Sequence, residues 1–199
     1  DLTAQADALR ELDAAIGDGD LGITVTLGMQ AVCEALPVLE GGDLRTLLMR
    51  AGMAFNRKAA STFGALYATM MMRAAKVAGE PPVVERGEIG PRAFAMMLSA
   101  AVEGVKERGK AERGDKTLLD ALIPAAEAAA AASEAGATLA ETAQRAADAA
   151  EEGARATVEM KSRTGRSSWF SERTGGVQDP GAAAVSMMLR SVHESVTAG

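Results

Sequence analysis

The longest apolar run in the chain, ALIPAAEAAAAA at residues 121–132, is built mostly of alanine. Alanine has the highest helix propensity of any residue and is depleted from strands. It also leaves almost no side chain to hold two helices apart. A chain with such a run is directed toward closely packed helices. The run contains Glu127 and falls short of the roughly 18 uncharged apolar residues that a membrane span needs. Aromatic residues make up only 3% of the sequence, so helix is expected throughout and no membrane partner is expected.

Punctuation along the chain predicts eight helices. The first, TAQADALRELD, ends near Asp13, and the second runs from about Leu21 to Ala35, before Pro37. Asp43 caps the third, DLRTLLMRAGMAFNRK, and the fourth starts near Phe63. Gly79 and Pro81-Pro82 form a loop before the fifth, which Pro91 opens and which ends at Gly109. The sixth begins at Asp115 or Thr117, carries Pro124, and ends at Gly136. The seventh runs from Thr138 to Met160, and the eighth, opened by Asp179-Pro180, reaches about Ser195. The expectation is an all-α barrel or closed bundle of eight antiparallel helices. It forms a single domain over residues 1–199, with a few residues preceding Asp1.

In such a bundle the loops before the even-numbered helices fall at the same end. Segments 14–20, 57–63, 109–116 and 162–178 would therefore converge. Helical bundles normally use short connections, so the long polar stretch before the last helix points to function.

The formal net charge is −6, which argues against a nucleic-acid partner. Cys33 is the single cysteine. It cannot form an internal disulfide, and its place in MQAVCEAL reads as a small buried thiol. No signal peptide is visible, and a cytoplasmic location is expected.

The end loops hold the candidate chemistry. LDAAIGDGDLG places Asp13, Asp18 and Asp20 close together, and three carboxylates so near repel unless a cation offsets them. Oxygen ligands of this kind suit Mg²⁺ or Ca²⁺. An ordinary Asp/Gly turn in which Asp20 caps the second helix is the other reading. In AASTFGAL, Ser61 and Thr62 lead into a helix start that could attract phosphate or could merely be capped. GKAERGDKT lacks Walker A spacing, yet Thr117 could meet a phosphate. Lys110 and Lys116 could be surface charges. Residues 161–182 gather Lys161, Arg163, Arg166 and Arg173, which suits a polyphosphate. There, Trp169 and Phe170 could pack the loop down or cover a base, and Asp179 could be a simple cap. His193, the only histidine, lies well past these loops.

LDAAIGDGDLG, STFGAL, RGKAERGDKT and GRSSWFSERTGGVQDPGA, in that order, resemble the DhaL/DAK2 family, the nucleotide-binding subunit or domain of dihydroxyacetone kinases. The resemblance spans Asp13 to the last helix. It implies a barrel of eight antiparallel helices with ADP or ATP at one end, held through two Mg²⁺ ions by Asp13, Asp18 and Asp20. It implies that Leu21, Gly22, Ile23, Thr24, Thr62, Phe63, Gly109, Leu118, Arg166, Asp179, Pro180 and Gly181 approach the nucleotide. Ser61 and Thr117 join them, with Thr24, on chemical grounds. Asp13, Asp18, Asp20 and Arg166 would act on the transferring phosphoryl group. The ketose would sit on a separate DhaK-like subunit, bound there through a histidine, and the remote His193 agrees with that division. A DhaM-like phosphotransferase-system protein could rephosphorylate a fixed ADP, or ATP could exchange as an ordinary substrate. A homodimer is compatible with the sequence, and a nucleotide-binding regulatory subunit without kinase activity is the alternative function. Two positions depart from the family. Leu21 stands where many members have histidine, and ASTFG stands where many have a glycine-rich GGASG. The first removes a polar contact near the phosphates. The second makes the loop stiffer and bulkier.

Overall fold

The computed structural model describes residues 5–35, 43–80, 89–163 and 174–198. Eight helices follow one another: α1 (Ala6–Ile16), α2 (Leu21–Ala35), α3 (Leu44–Lys58), α4 (Thr62–Ala78), α5 (Pro91–Gly109), α6 (Leu119–Glu134), α7 (Leu139–Ala156) and α8 (Pro180–Ala198). A 3₁₀ turn, Thr157–Glu159, extends α7. No strand occurs among the described residues. Each helix packs on the next, and α8 returns to α1, so the ring closes.

Local chemistry sets the helix starts. The Asp43 carboxylate accepts the Thr46 amide at 2.8 Å, and Ser61 Oγ accepts the Gly64 amide at 3.0 Å. Thr138 and Glu141 form a reciprocal capping box on α7. Some ends differ from the expectation. The first helix continues past Asp13 because Ile16 is buried and the chain turns only where the Gly17 amide closes on the Asp13 carbonyl. The last helix reaches Ala198. The expected breaks at Pro37, Gly41-Gly42 and Pro81-Pro82 lie outside the described residues. Cys33 is exposed rather than buried, because the face of α2 that packs inward carries Leu21, Thr24, Val25 and Gly28.

Directions follow from facing pairs. Gly52 on α3 meets Ala68 and Met71 on α4, and Gly104 on α5 meets Thr69 and Arg73. Arg190 on α8 bonds Asp148 and Glu151 on α7. At the ends, Gly79 after α4 meets Arg45 in the first turn of α3, Gly109 of α5 meets Leu66 near the start of α4, and the Asp179 amide before α8 bonds Thr157 after α7, so all three pairs are antiparallel. The alanine stretch does what its composition implies. Ala121, Ala125, Ala129, Ala143, Ala146, Ala147, Ala150 and Ala154 are all within 1% of full burial, and they form the seam between α6 and α7.

The two helices approach closely where Gly153 crosses α6. A β-carbon there would lie 2.1 Å from the Asp120 carbonyl oxygen. Pro124, four residues on, has no N–H to offer that carbonyl. The carbonyl so freed faces the α-carbon of Gly153, a geometry suited to a weak C–H···O contact.

Gly153→Ala should therefore lower stability by about 1–3 kcal/mol, the usual range for overpacking. Helix propensity alone would favour alanine by about 1 kcal/mol, so the sign is diagnostic. The midpoint of urea denaturation should fall, and an unchanged or higher midpoint would show that α7 stands off from α6.

Candidate functional site

The aspartate turn is built by the end of α1 and the start of α2. One carboxylate oxygen from each of Asp13, Asp18 and Asp20 lies within 4.8 Å of the others. Asp13 is half-buried, while Asp18 and Asp20 are exposed. The Leu21 amide donates to Asp13 Oδ2 at 3.0 Å, which pins the start of α2 to α1. A β-carbon on Gly17 would sit 2.4 Å from Asp13 Oδ1, so only glycine leaves that carboxylate in place. The Thr24 amide donates to the Asp20 carbonyl at 2.9 Å, which puts Asp20 at the cap of α2. Two oxygens bound to one Mg²⁺ stand about 3–4 Å apart, given bonds near 2.1 Å. Carboxylate oxygens within 4.8 Å of one another can close to that spacing with small side-chain rotations, and the all-oxygen donor set suits such an ion.

Of the next four candidates, Leu21, Gly22 and Thr24 are buried, and Ile23 is 57% exposed. Leu21 thus carries its departure from the family pattern into the core. Phe63 does the same: it is 8% exposed, with its ring 6.3 Å from that of Phe55, which stacks on Tyr67 at 4.2 Å. The bulk expected in the ASTFG loop is core packing instead. Ser61 is the cap of α4, and Thr62 is exposed beside it. Gly109 ends α5 next to this helix start, where a β-carbon would lie 3.8 Å from Leu66.

A third group joins the start of α6 to the start of α8. The Arg163 amide donates to the Asp115 carbonyl at 3.1 Å, and the Ser162 amide donates to Thr174 Oγ1 at 3.1 Å. The Asp179 amide donates to Thr157 Oγ1 at 2.8 Å, and its carboxylate accepts the Ala182 amide at 2.8 Å. Asp179 is thus a buried cap, with Pro180 buried in the first turn of α8. Gly181 lies against Leu118, which is itself 5% exposed. Thr117 is half-buried, and its Oγ1 accepts the Leu119 amide at 3.2 Å. Lys110 is exposed, as one reading had it, but Lys116 is no surface charge: it is 1% exposed. Arg166, Arg173, Trp169 and Phe170 lie outside the described residues.

Sequence reasoning missed the polar core of this group. Asp120 is 2% exposed, and its carboxylate accepts the Gly114 amide at 2.6 Å and the Thr117 amide at 2.8 Å. The Thr-x-x-Asp spacing of residues 117–120 was its available signal. Lys116 had none, because burial of a lysine at a φ of 60° depends on the partners it meets.

Burial pushes the Asp179 carboxyl up to about 7, with the Ala182 amide and Lys116 opposing and Asp120 adding to the rise. Burial likewise lowers Lys116, and Asp179 opposes that. Between its unfolded value near 3.9 and about 7, the folded chain holds a proton on Asp179 that the unfolded chain lacks. Its contribution to stability is full below that window and is lost as pH rises through it. Asp179→Asn keeps an acceptor for Ala182, so its stability relative to the parent should climb from pH 4 to pH 7 and then level off. Denaturant titrations at several pH values would reveal this, and parallel curves would remove Asp179 as a buried acid.

The family model described as the DAK2 domain matches residues 15–194. The chain is 32% identical over 189 residues to the Escherichia coli (strain K12) protein named PEP-dependent dihydroxyacetone kinase, ADP-binding subunit DhaL, covering 95% of this chain and 88% of that one. It is 32% identical over 199 residues to a D-erythrulose kinase of Mycolicibacterium smegmatis, covering 98% of this chain and 33% of the kinase. The dihydroxyacetone kinase of C. freundii, solved in complex with AMP-PNP and Mg²⁺, superimposes with a TM-score of 0.73 at 26% identity, over 98% of this chain and 31% of that one. The family match takes in Asp18, Asp20 and the starts of α2, α4, α6 and α8, and the chain belongs to the DAK2 domain family.

Proposed function

We propose that this chain binds ADP or ATP with Mg²⁺ and serves as the nucleotide subunit of a dihydroxyacetone-type kinase. It would transfer phosphoryl to a short-chain ketose held on a separate DhaK-like subunit. The observation that carries this reading is the aspartate turn: three carboxylates within reach of one ion, in a chain of this family. The E. coli relative's name supports ADP, and the Mg²⁺ and AMP-PNP of the C. freundii complex support the pairing of metal and nucleotide. The erythrulose kinase supports a four-carbon ketose as well as dihydroxyacetone.

Asp13, Asp18 and Asp20 would hold the metal, and Asp13 is pre-set for this by its bond from the Leu21 amide. Magnesium, when bound, neutralises charge on the phosphate oxygens. The first turn of α2 points its amides toward the same region, as helix starts do. Side chains of Leu21 and Phe63 are buried, so these positions would meet the nucleotide through main-chain atoms. Ile23 offers an exposed apolar side chain. Thr62, Gly109, Thr117 and Gly181, at the helix ends beside the starts of α4, α6 and α8, would complete the nucleotide site. Leu118, Asp179 and Pro180 support them from beneath. Arg166 would bind the phosphates, with its guanidinium suited to bidentate contact.

A regulatory nucleotide-binding subunit is the second reading. Leu21 favours it, because a buried apolar side chain gives no polar contact at the start of α2. Phosphoryl transfer assayed with a DhaK-like partner separates the two, since nucleotide binding without transfer would select the regulatory role. Native mass spectrometry of freshly purified protein addresses the donor. Retained ADP and Mg²⁺ would point to a fixed cofactor renewed by a DhaM-like protein, whereas an empty protein that binds ATP reversibly would point to direct ATP use.

Asp18→Asn with Asp20→Asn should abolish Mg²⁺-dependent ADP binding in calorimetry and leave the helical circular dichroism largely unchanged. Retained affinity would end the aspartate assignment. In the same titration Arg166→Ala should weaken binding more than His193→Ala. The reverse order would move the phosphate site.

A further inference from the structure

Lys116 differs from the other cations of the bundle because, among the described residues, its charge is met by main-chain carbonyls and not by an ion pair. Its Nζ donates to the carbonyl oxygens of Met160 at 3.1 Å and Val177 at 2.6 Å, and to that of Thr174. A lysine ammonium has three donors, and here neutral main-chain carbonyls from both sides of the α7–α8 connection take all of them. Leaving any of these groups unpaired would be costly, since the side chain is 1% exposed. Rings of carbonyl oxygens around a desolvated charge are also how proteins hold bare monovalent cations. Other bonds converge on the same place: Arg163 to Asp115, Ser162 to Thr174, and the Gly176 amide to the Val158 carbonyl at 2.9 Å.

We propose that Lys116 is a built-in monovalent cation that gathers the carbonyls of residues 160, 174 and 177 onto the start of α6, fixing both ends of the stretch that carries Arg166. Lys116 is a positioning residue and touches no substrate. Its effect on phosphate binding rests on the proposed nucleotide function, while the carbonyl cage does not.

The decisive experiment uses Lys116→Met, which keeps the apolar stem and removes the charge and donors. Lys161, Arg163, Arg166 and Arg173 are trypsin sites that lie between the anchored positions. Limited proteolysis read by mass spectrometry should show cleavage at these sites rising by about tenfold or more, as expected for loss of a charge-assisted buried network. Cleavage at Arg92 and Arg145 should stay unchanged. In Lys116→Ala, which also vacates the stem, propylammonium should restore protection, and lithium at equal ionic strength should not. Unchanged cleavage, or equal rescue by lithium, would overturn the proposal.

Lysine acetylation of the parent protein decides the matter even if the variant fails to fold. Lys116 should react far more slowly than Lys110 or Lys161, and equal reactivity would overturn the cage. Titration with Mg²⁺ and ADP completes the test. Weakened binding in Lys116→Ala, restored by propylammonium, supports positioning of the phosphate site. A parent protein that binds no nucleotide would overturn that role and the proposed function while proteolysis and acetylation still decide the cage.

Discussion

Asp120 is the residue on which the third group of contacts depends. Its two carboxylate oxygens fix the amides of Gly114 and Thr117, and its carbonyl meets Gly153 on the facing helix. One residue thereby sets the path of the loop before α6 and the depth at which α7 crosses. Because Pro124 withholds the usual helical donor from the Asp120 carbonyl, the loop and the crossing are coupled through the side chain and main chain of one residue. The carboxylate of a helix's first turn is also favourably placed against the helix dipole.

The alanine seam and the Asp120 contact belong together. Alanine and glycine bury less apolar area per residue than leucine or phenylalanine, so a seam built from them depends on close approach and dispersion contacts. Larger side chains are concentrated elsewhere, around Phe55, Phe63, Tyr67 and Leu119. The thin seam brings the ends of α6 and α7 near enough for their loops to share hydrogen bonds, and the bulky cluster sits beneath the start of α4.

Much of this was legible in the sequence. Eight helices could be read from caps and from glycine and proline breaks, because those signals act within a few residues. The aspartate turn was legible for the same reason: Asp13, Asp18 and Asp20 are close in sequence, and the intervening glycines permit a tight turn. What escaped notice depended on distant partners. Lys116 meets carbonyls some 44 to 61 residues away, and no local pattern distinguishes it from Lys110. Leu21 read as a lost polar contact and Phe63 as loop bulk, yet each turns inward because the neighbouring helices offer an apolar surface. Cys33 erred the other way, since α2 buries residues only in its first half and its last turn faces inward through Val32, leaving Cys33 exposed.

The flanks of the α7–α8 connection are tied down at several points, from Val158 and Met160 on one side to Thr174 and Val177 on the other. Loop-closure entropy grows only slowly with length, and here both ends are already held by bonds that do not involve the intervening positions. The frame on either side of that connection is thus set by bonds to the main chain of residues 158–163 and 174–177, so a backbone cut between them would leave two ends still fastened to the same part of the bundle.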